Sequence, residues 1–313
     1  MTMATLSNKI DFAVVVNVKN ANPNGDPLNG NRPRVNYDGY GELSDVCIKR
    51  KIRNRLMQDG YSVFVQSDDN KVDEYHSLKE RAEGELGKDI LKDGKKLFMS
   101  ACKKWIDVRA FGQLFAFKAS SKKEGKGKEA KNDDKEKEST QGVSVGIRGP
   151  VSIHPAFSVA PVGARVSSIQ ITKSVSGEGD GSKRASDTMG MKHRVDHGVY
   201  VFYGSINPQL AEKTEFSDKD TDAIKEALKT LFRNDASSAR PEGSMEVHKL
   251  FWWEQKKSGK QYSSAKVHRS VEKRIKVKEG INEPKSIDDY SIPNKSEIDK
   301  ELPGLNVEII DGE

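Results

Sequence analysis

The sequence predicts an α+β domain of ferredoxin-like type that carries large insertions. Short β-branched runs interleave with amphipathic helical segments. Successive runs are joined by hairpin-like returns. Two polar stretches, starting near Lys118 and Lys173, interrupt the pattern and bring almost nothing that can enter a core. A doubly wound parallel sheet is the alternative architecture.

The elements follow in chain order. Phe12 to Val18 is apolar, β-branched and short, and reads as a buried strand. Asn22 to Arg34 comes next, with four asparagines, two arginines and the turn dipeptides Asn-Pro and Asn-Gly. A loop this polar and rigid costs stability unless it serves a purpose. Leu43 to Met57 is helical, with Ser44 as its cap and Asp45 in the first turn. Gly60 ends that helix, and Tyr61 to Gln66 alternates like a second strand. Val72 to Ile90 reads as a polar helix. The spacing of Leu97, Ala101, Trp105 and Val108 predicts one amphipathic helix over Lys95–Phe111.

Lys118 to Thr140 is a solvated insertion of mixed charge. Gly142 to Val162 resumes with small and β-branched residues. Val166–Thr172 and Gly198–Ile206 read as strands, with Lys173–His197 as a hairpin-like arm between them. Ser217–Asn234 is helical, buries Ala223, Ala227, Leu228 and Leu231, and starts on a Ser-x-x-Asp cap. Met245–Trp253 is a further strand. The tail from Asp288 is acidic and broken by Pro293 and Pro303.

Composition narrows the function class. The chain has 313 residues, 53 Lys+Arg against 47 Asp+Glu, a net charge of +6 and a hydrophobic fraction of only 35%. The excess of cations is small but clustered, at Arg32–Arg55 and Lys183–Arg194, which points to nucleic acid more than the total does. Two cysteines far apart, Cys47 and Cys102, suggest neither a disulfide framework nor a zinc knuckle. With no signal peptide and no bilayer-length apolar run, the chain reads as soluble and cytoplasmic.

Two regions hold the candidate binding residues. On the Leu43–Met57 helix, Ile48, Ile52 and Leu56 form a buried stripe. Lys49 and Arg53 make a ridge beside it, Arg50 lies further round, and Lys51 and Arg55 occupy the other flank. Like charges so close repel by a few tenths of a kcal/mol per pair, a cost that an acidic partner or a phosphate backbone removes. Arg32 and Arg34 lie in the loop just before this helix. On the arm, Met189 and Met191 are suited to wedging between bases while Lys192 and Arg194 hold phosphates. His193, Asp196 and His197 lack a further ligand, so no metal site is expected. Nucleophile and phosphate-loop motifs are absent. Asp26, the one acid of the polar loop, closes a turn or, on the alternative reading, holds a metal ion.

The motifs Asn22-Pro23-Asn24-Gly25-Asp26-Pro27, Ser44-Asp45-Val46 with Ile48-Lys49-Arg50, and Asp107-Val108-Arg109-Ala110-Phe111-Gly112 resemble the backbone subunit of CRISPR surveillance complexes. The resemblance is to the seventh Cas family in its type I-C (Dvulg) form, over about residues 8–255. It implies one RNA-binding subunit over 1–313: an RNA-recognition-motif-like palm, a helical finger region near 60–118, a charged insertion at 118–140, a thumb arm at 172–197 and an acidic tail at 288–313. It further implies polymerisation along CRISPR RNA as a helical filament, kinking of that RNA at regular intervals, and pairing of target DNA through the guide. The partners implied are the fifth, eighth and eleventh Cas families of Cascade and a recruited helicase-nuclease. Neither catalysis nor a cofactor is implied for type I members. The RNA-binding candidates are then Asn22, Asn24, Asn29, Arg32, Arg34, Lys49, Arg50, Arg53 and Arg109, with Met189, Met191, Lys192 and Arg194 on the thumb. A metal-dependent RNA endonuclease using Asp26, as in type III relatives, is the alternative.

Overall fold

The computed structural model describes residues 4–117, 143–174 and 187–313. The charged insertion expected over Lys118–Thr140 lies outside them, as do residues 175–186 of the arm.

Strand β1 (Lys9–Ala21) is the centre of the sheet. Phe12, Val14, Val16 and Val18 enter one core and Ala13 and Val15 enter another on the opposite face. Both faces are covered, so the run is continuously apolar instead of alternating. After it come β2 (Gly25–Asp26) and β3 (Arg32–Pro33), which pair with each other, then β4 (Tyr40–Leu43) and helix α1 (Asp45–Gln58). Helices α2 (Leu78–Leu86), α3 (Gly94–Lys104) and α4 (Ile106–Phe111) precede the ribbon of β5 (Gly112–Phe117) and β6 (Val143–Arg148). Strands β7 (Val151–Ile153), β8 (Ala156–Pro161), β9 (Val166–Ser174) and β10 (Asp187–Ile206) follow. Helices α5 (Pro208–Thr214) and α6 (Asp218–Lys229) lead to β11 (Met245–Gln255) and α7 (Ser264–Glu272). Strands β12 (Lys276–Val277) and β13 (Tyr290–Ser291), helix α8 (Lys295–Glu301) and β14 (Val307–Asp311) complete the chain.

The main sheet runs β14-β11-β1-β10-β8-β4, with β7 and β9 also paired to β10. Every strand pairing among the described residues is antiparallel, which removes the doubly wound alternative. Residues of α1, α5 and α6 fill the core on one face, and those of α7 and α8 fill the core on the other. A third cluster, built on Phe64, Leu97, Trp105 and Phe115, joins α2, α3, α4 and the β5–β6 ribbon.

Several sequence expectations change. Tyr61–Gln66 is not a strand. The N–H groups of Phe64 and Val65 donate to the Asp107 carboxylate at 2.7 and 3.1 Å, so a side chain takes the place of a ladder. The helix expected over Lys95–Phe111 is two helices, broken where Trp105 adopts an extended conformation (φ −114°, ψ 122°) to bury its ring. The polar helix expected over Val72–Ile90 is confined to α2. The strand expected from Gly198 begins inside the arm, because β10 starts at Asp187, pairs with β9 over Asp187–Val195 and runs unbroken into the sheet. The acidic tail carries α8 and an edge strand of the main sheet, with β14 pairing β11 from Lys249↔Asp311 to Trp253↔Val307.

Candidate nucleic-acid interface

Where β1 ends, the chain folds into a small rigid loop. Asn22 is buried and its Nδ2 donates to the Asn31 carbonyl at 2.7 Å, pinning the far side of the loop. The β2–β3 ladder pairs Gly25 with Pro33 and Asp26 with Arg32. Asp26 Oδ1 accepts the Leu28 N–H at 3.2 Å and caps a 3-10 turn over Pro27–Asn29. It also faces the Arg34 guanidinium at 3.4 Å. Asn24 Oδ1 accepts the N–H of Ser44 at 2.9 Å, and the Ser44 Oγ accepts the Cys47 N–H at the start of α1. Asn22 and Asn24 are thus the two pegs that fasten the loop to itself and to the helix. Asn29 sits exposed at the end of the 3-10 turn.

The cations of α1 divide by partner. Lys51 and Arg55, on the other flank of the apolar stripe, are buried. Lys51 pairs with Asp235, and Arg55 with Asp59 and the Thr230 hydroxyl. Arg53 donates Nε–H to Asp107 at 2.8 Å and stacks its guanidinium 5.1 Å from the Phe111 ring centre. Arg109 grips Asp220 at two points, 3.1 and 2.6 Å. Arg53 and Arg109 therefore hold fully or largely buried carboxylates (Asp107 0%, Asp220 8% side-chain exposure). Arg50 donates to the Val65 carbonyl at 2.9 Å, and burial, then the neighbouring Arg53 cation, lowers its pKa. Lys49 pairs with Asp45 along the helix at 3.0 Å. Among the described residues Arg32 has no ion pair, and Arg34 keeps 36% of its side chain exposed.

β3 lies against β10, and Ala21 of β1 is in register with Val195, so the polar loop abuts the root of the β9–β10 ribbon. Along that ribbon side chains alternate. Met189 and Met191 share one face and are 64% and 54% exposed. Lys192 and Arg194 occupy the other face, beside the cross-strand Ile169 and Ser167. The apolar and cationic groups of the arm therefore cannot act on one contact together. Arg194 Nε lies 3.3 Å from Asp196, which also accepts from Ser167. His193 is buried against Ser168, and His197 is buried beside Tyr290, so these histidines do not converge. Among the described residues no group of three or more His, Cys, Asp or Glu side chains is placed to hold a metal ion.

The structure thus gathers Asn22, Asn24, Asn29, Arg32, Arg34 and Lys49 around one loop and helix end. It sets Arg109 apart, against α6. Sequence reasoning missed Asp107 and Asp220 as partners of the arginines. Asp107 stands in the motif beside Arg109, but its partner lies in another helix. The Ser217–Asp220 cap was visible, while the reach of Arg109 to it was not.

A family model described as "CRISPR-associated protein Cas7" matches residues 8–295. A CRISPR-associated protein Cas7 of Haloferax volcanii is 28% identical over 245 residues, which is 75% of this chain and 67% of that protein. Among solved structures, a chain of a CRISPR RNA-guided surveillance complex, pre-nicking, aligns with 96% of this chain and 90% of its own, at 14% identity and TM-score 0.46. A chain of a second CRISPR RNA-guided surveillance complex aligns with 88% and 78%, at 16% identity and TM-score 0.40.

Proposed function

The chain belongs to the Cas7 family of CRISPR-associated proteins, and from that premise we propose that it is a non-catalytic backbone subunit that grips CRISPR RNA. In this reading it oligomerises along the guide of a type I-C Cascade complex, kinks the RNA at intervals and leaves it able to pair with target DNA. The observation that carries the reading is the rigid polar loop fastened between the α1 N-terminus and the root of a protruding ribbon, with Arg32 and Arg34 presented from it. A guide varies in sequence, so its carrier must hold phosphate, sugar and shape without reading bases. Arginines on a loop pinned by Asn22 and Asn24, with the exposed Asn29 beside them, suit that task. The strand order β11-β1-β10-β8, with α1 following β1 and α6 preceding β11, supports an RNA-recognition-motif-like palm. The β9–β10 ribbon corresponds to the thumb.

Asp26 is assigned a turn role, because its carboxylate already caps the Pro27–Asn29 turn and faces Arg34. The purified protein should bind single-stranded RNA of unrelated sequences with similar affinity and should not cleave it in Mg²⁺ or Mn²⁺. Metal-dependent cleavage lost in Asp26→Ala, with RNA binding retained, would replace this reading by the endonuclease one.

A further inference from the structure

The exposed aromatic side chains among the described residues include one that no packing role explains. Tyr37 is fully solvent-exposed, at 109% of its reference area. It stands on a tight turn, Asn36-Tyr37-Asp38-Gly39, between Val35 and Gly41, which form an isolated bridge. The turn is rigidly built. Asn36 Oδ1 accepts the N–H groups of Asp38 and Tyr40 at 3.0 and 2.9 Å, and the Asn36 backbone exchanges bonds with Tyr40 and Gly39. Gly39 supplies the left-handed conformation (φ +80°) that closes it. Asn36, Asp38 and Gly39 make this turn, and nothing in its geometry needs an aromatic ring at the second position.

The turn is also clamped in place. The Gly39 carbonyl accepts N–H groups from Val162 and Gly163 at 2.8 and 2.9 Å. Gly163–Arg165 is the 3-10 turn that feeds directly into β9, so this clamp ties Tyr37 to the ribbon root. On its other side the turn continues from Arg34, whose N–H donates to the Asn24 carbonyl of the polar loop at 2.9 Å. Three residues span at most about 11 Å, so the ring stands within reach of the Arg34 contact.

We propose that Tyr37 is a base-stacking platform for single-stranded RNA held at the polar loop, presented on a pre-built turn between that loop and the ribbon root. The proposal rests on the RNA-grip reading above and adds to it a contact that is indifferent to phosphate. Tyr37 and the 41%-exposed Val35, flanked by Asn36 and Asp38, make too small and polar a surface for a stable protein interface, which buries about 800 Å² per partner. It matches the sequence-tolerant stacking contact that single-strand binders place beside a cationic track.

The test is fluorescence anisotropy with labelled RNA short enough for one subunit, in several sequences and salt concentrations. Tyr37→Ala should melt like the parent chain and lose about 5- to 150-fold in affinity per stacked base. Its dependence of log affinity on log salt should be unchanged, because stacking releases no counterions. Tyr37→Phe should bind like the parent. RNA substituted with 4-thiouridine should photo-crosslink to the peptide holding Tyr37. The proposal is overturned if the parent binds RNA and Tyr37→Ala binds it equally. It is also overturned if Tyr37→Phe fails like Tyr37→Ala, or if the loss occurs only on RNA long enough for several copies, which would make Tyr37 a contact between copies. Failure of the parent chain itself to bind removes the underlying RNA-grip reading instead.

Discussion

Arg109 and Asp220 form a two-point ion pair across 111 residues of sequence, with Nη2 2.6 Å and Nε 3.1 Å from the carboxylate. The same carboxylate accepts the backbone N–H and the hydroxyl of Ser217 at 2.9 Å, so it caps α6 while it anchors α4. One acid thereby joins the helix that carries the Asp-Val-Arg motif to the helix that covers the sheet. Arg53 and Asp107 repeat the arrangement between α1 and the Phe64–Val65 segment.

Arg109→Ala leaves the largely buried Asp220 without its cation. Breaking such a pair costs about 3–5 kcal/mol. Urea unfolding should show a loss of that order, while RNA affinity of the folded fraction changes little. A large affinity loss at unchanged stability would return Arg109 to the RNA contacts.

Arg32 and Arg34 are the proposed phosphate contacts of the loop. Each phosphate neutralised on a single strand adds about 0.7 to the slope of log affinity against log salt. Arg32→Ala with Arg34→Ala should lower that slope by about 1.4 if each arginine holds one phosphate. The affinity loss should be similar for unrelated RNA sequences, as titrations with several oligonucleotides would show. A loss confined to one sequence contradicts a backbone grip.

The two faces of the ribbon separate two roles. Lys192→Ala with Arg194→Ala should weaken binding and reduce the salt slope. Met189→Gly with Met191→Gly should change which guide bases react with single-strand probes more than it changes affinity. Unaltered base reactivity in the methionine variant counts against a thumb wedge.

His197, His248 and His268 all have pKa values lowered from the ordinary 6.5, in each case chiefly by burial. The fold prefers the neutral imidazoles, so below pH 6.5 the unfolded chain binds more protons. Their contribution is complete above that pH and is lost as pH falls toward the lowered values. The melting temperature should hold between about pH 7 and 8 and drop as pH falls below about 6.5. His197→Gln should flatten part of that drop, and an unchanged profile would remove His197 from it.

The strands and helices that line the two large cores were legible because their apolar spacing is local. β1 and β11 contain the strands expected from sequence, α1 and α6 start within two residues of their expected starts, and α6 ends at Lys229, short of Asn234. What escaped depends on distant partners. Tyr61–Gln66 alternates like a strand, but Asp107, more than forty positions later, takes its N–H groups. Lys51 looks like a surface cation until Asp235 is folded over it. The tail reads only as acidic and broken by prolines because Val307 and Ile309 are too few to signal a strand until β11 offers its edge. At the candidate interface the polar loop was visible from composition alone. Which of its cations remain free was not, because Asp107 and Asp220 come from other elements.

The most direct test is whether the purified protein carries RNA with a repeating pattern of protection. Nuclease digestion of that complex should release fragments in steps of one constant length, with accessible bases recurring at the same interval. Preparations free of RNA that also fail to protect added single strands, or protection without any repeat, would contradict the account of a subunit that grips a guide copy by copy.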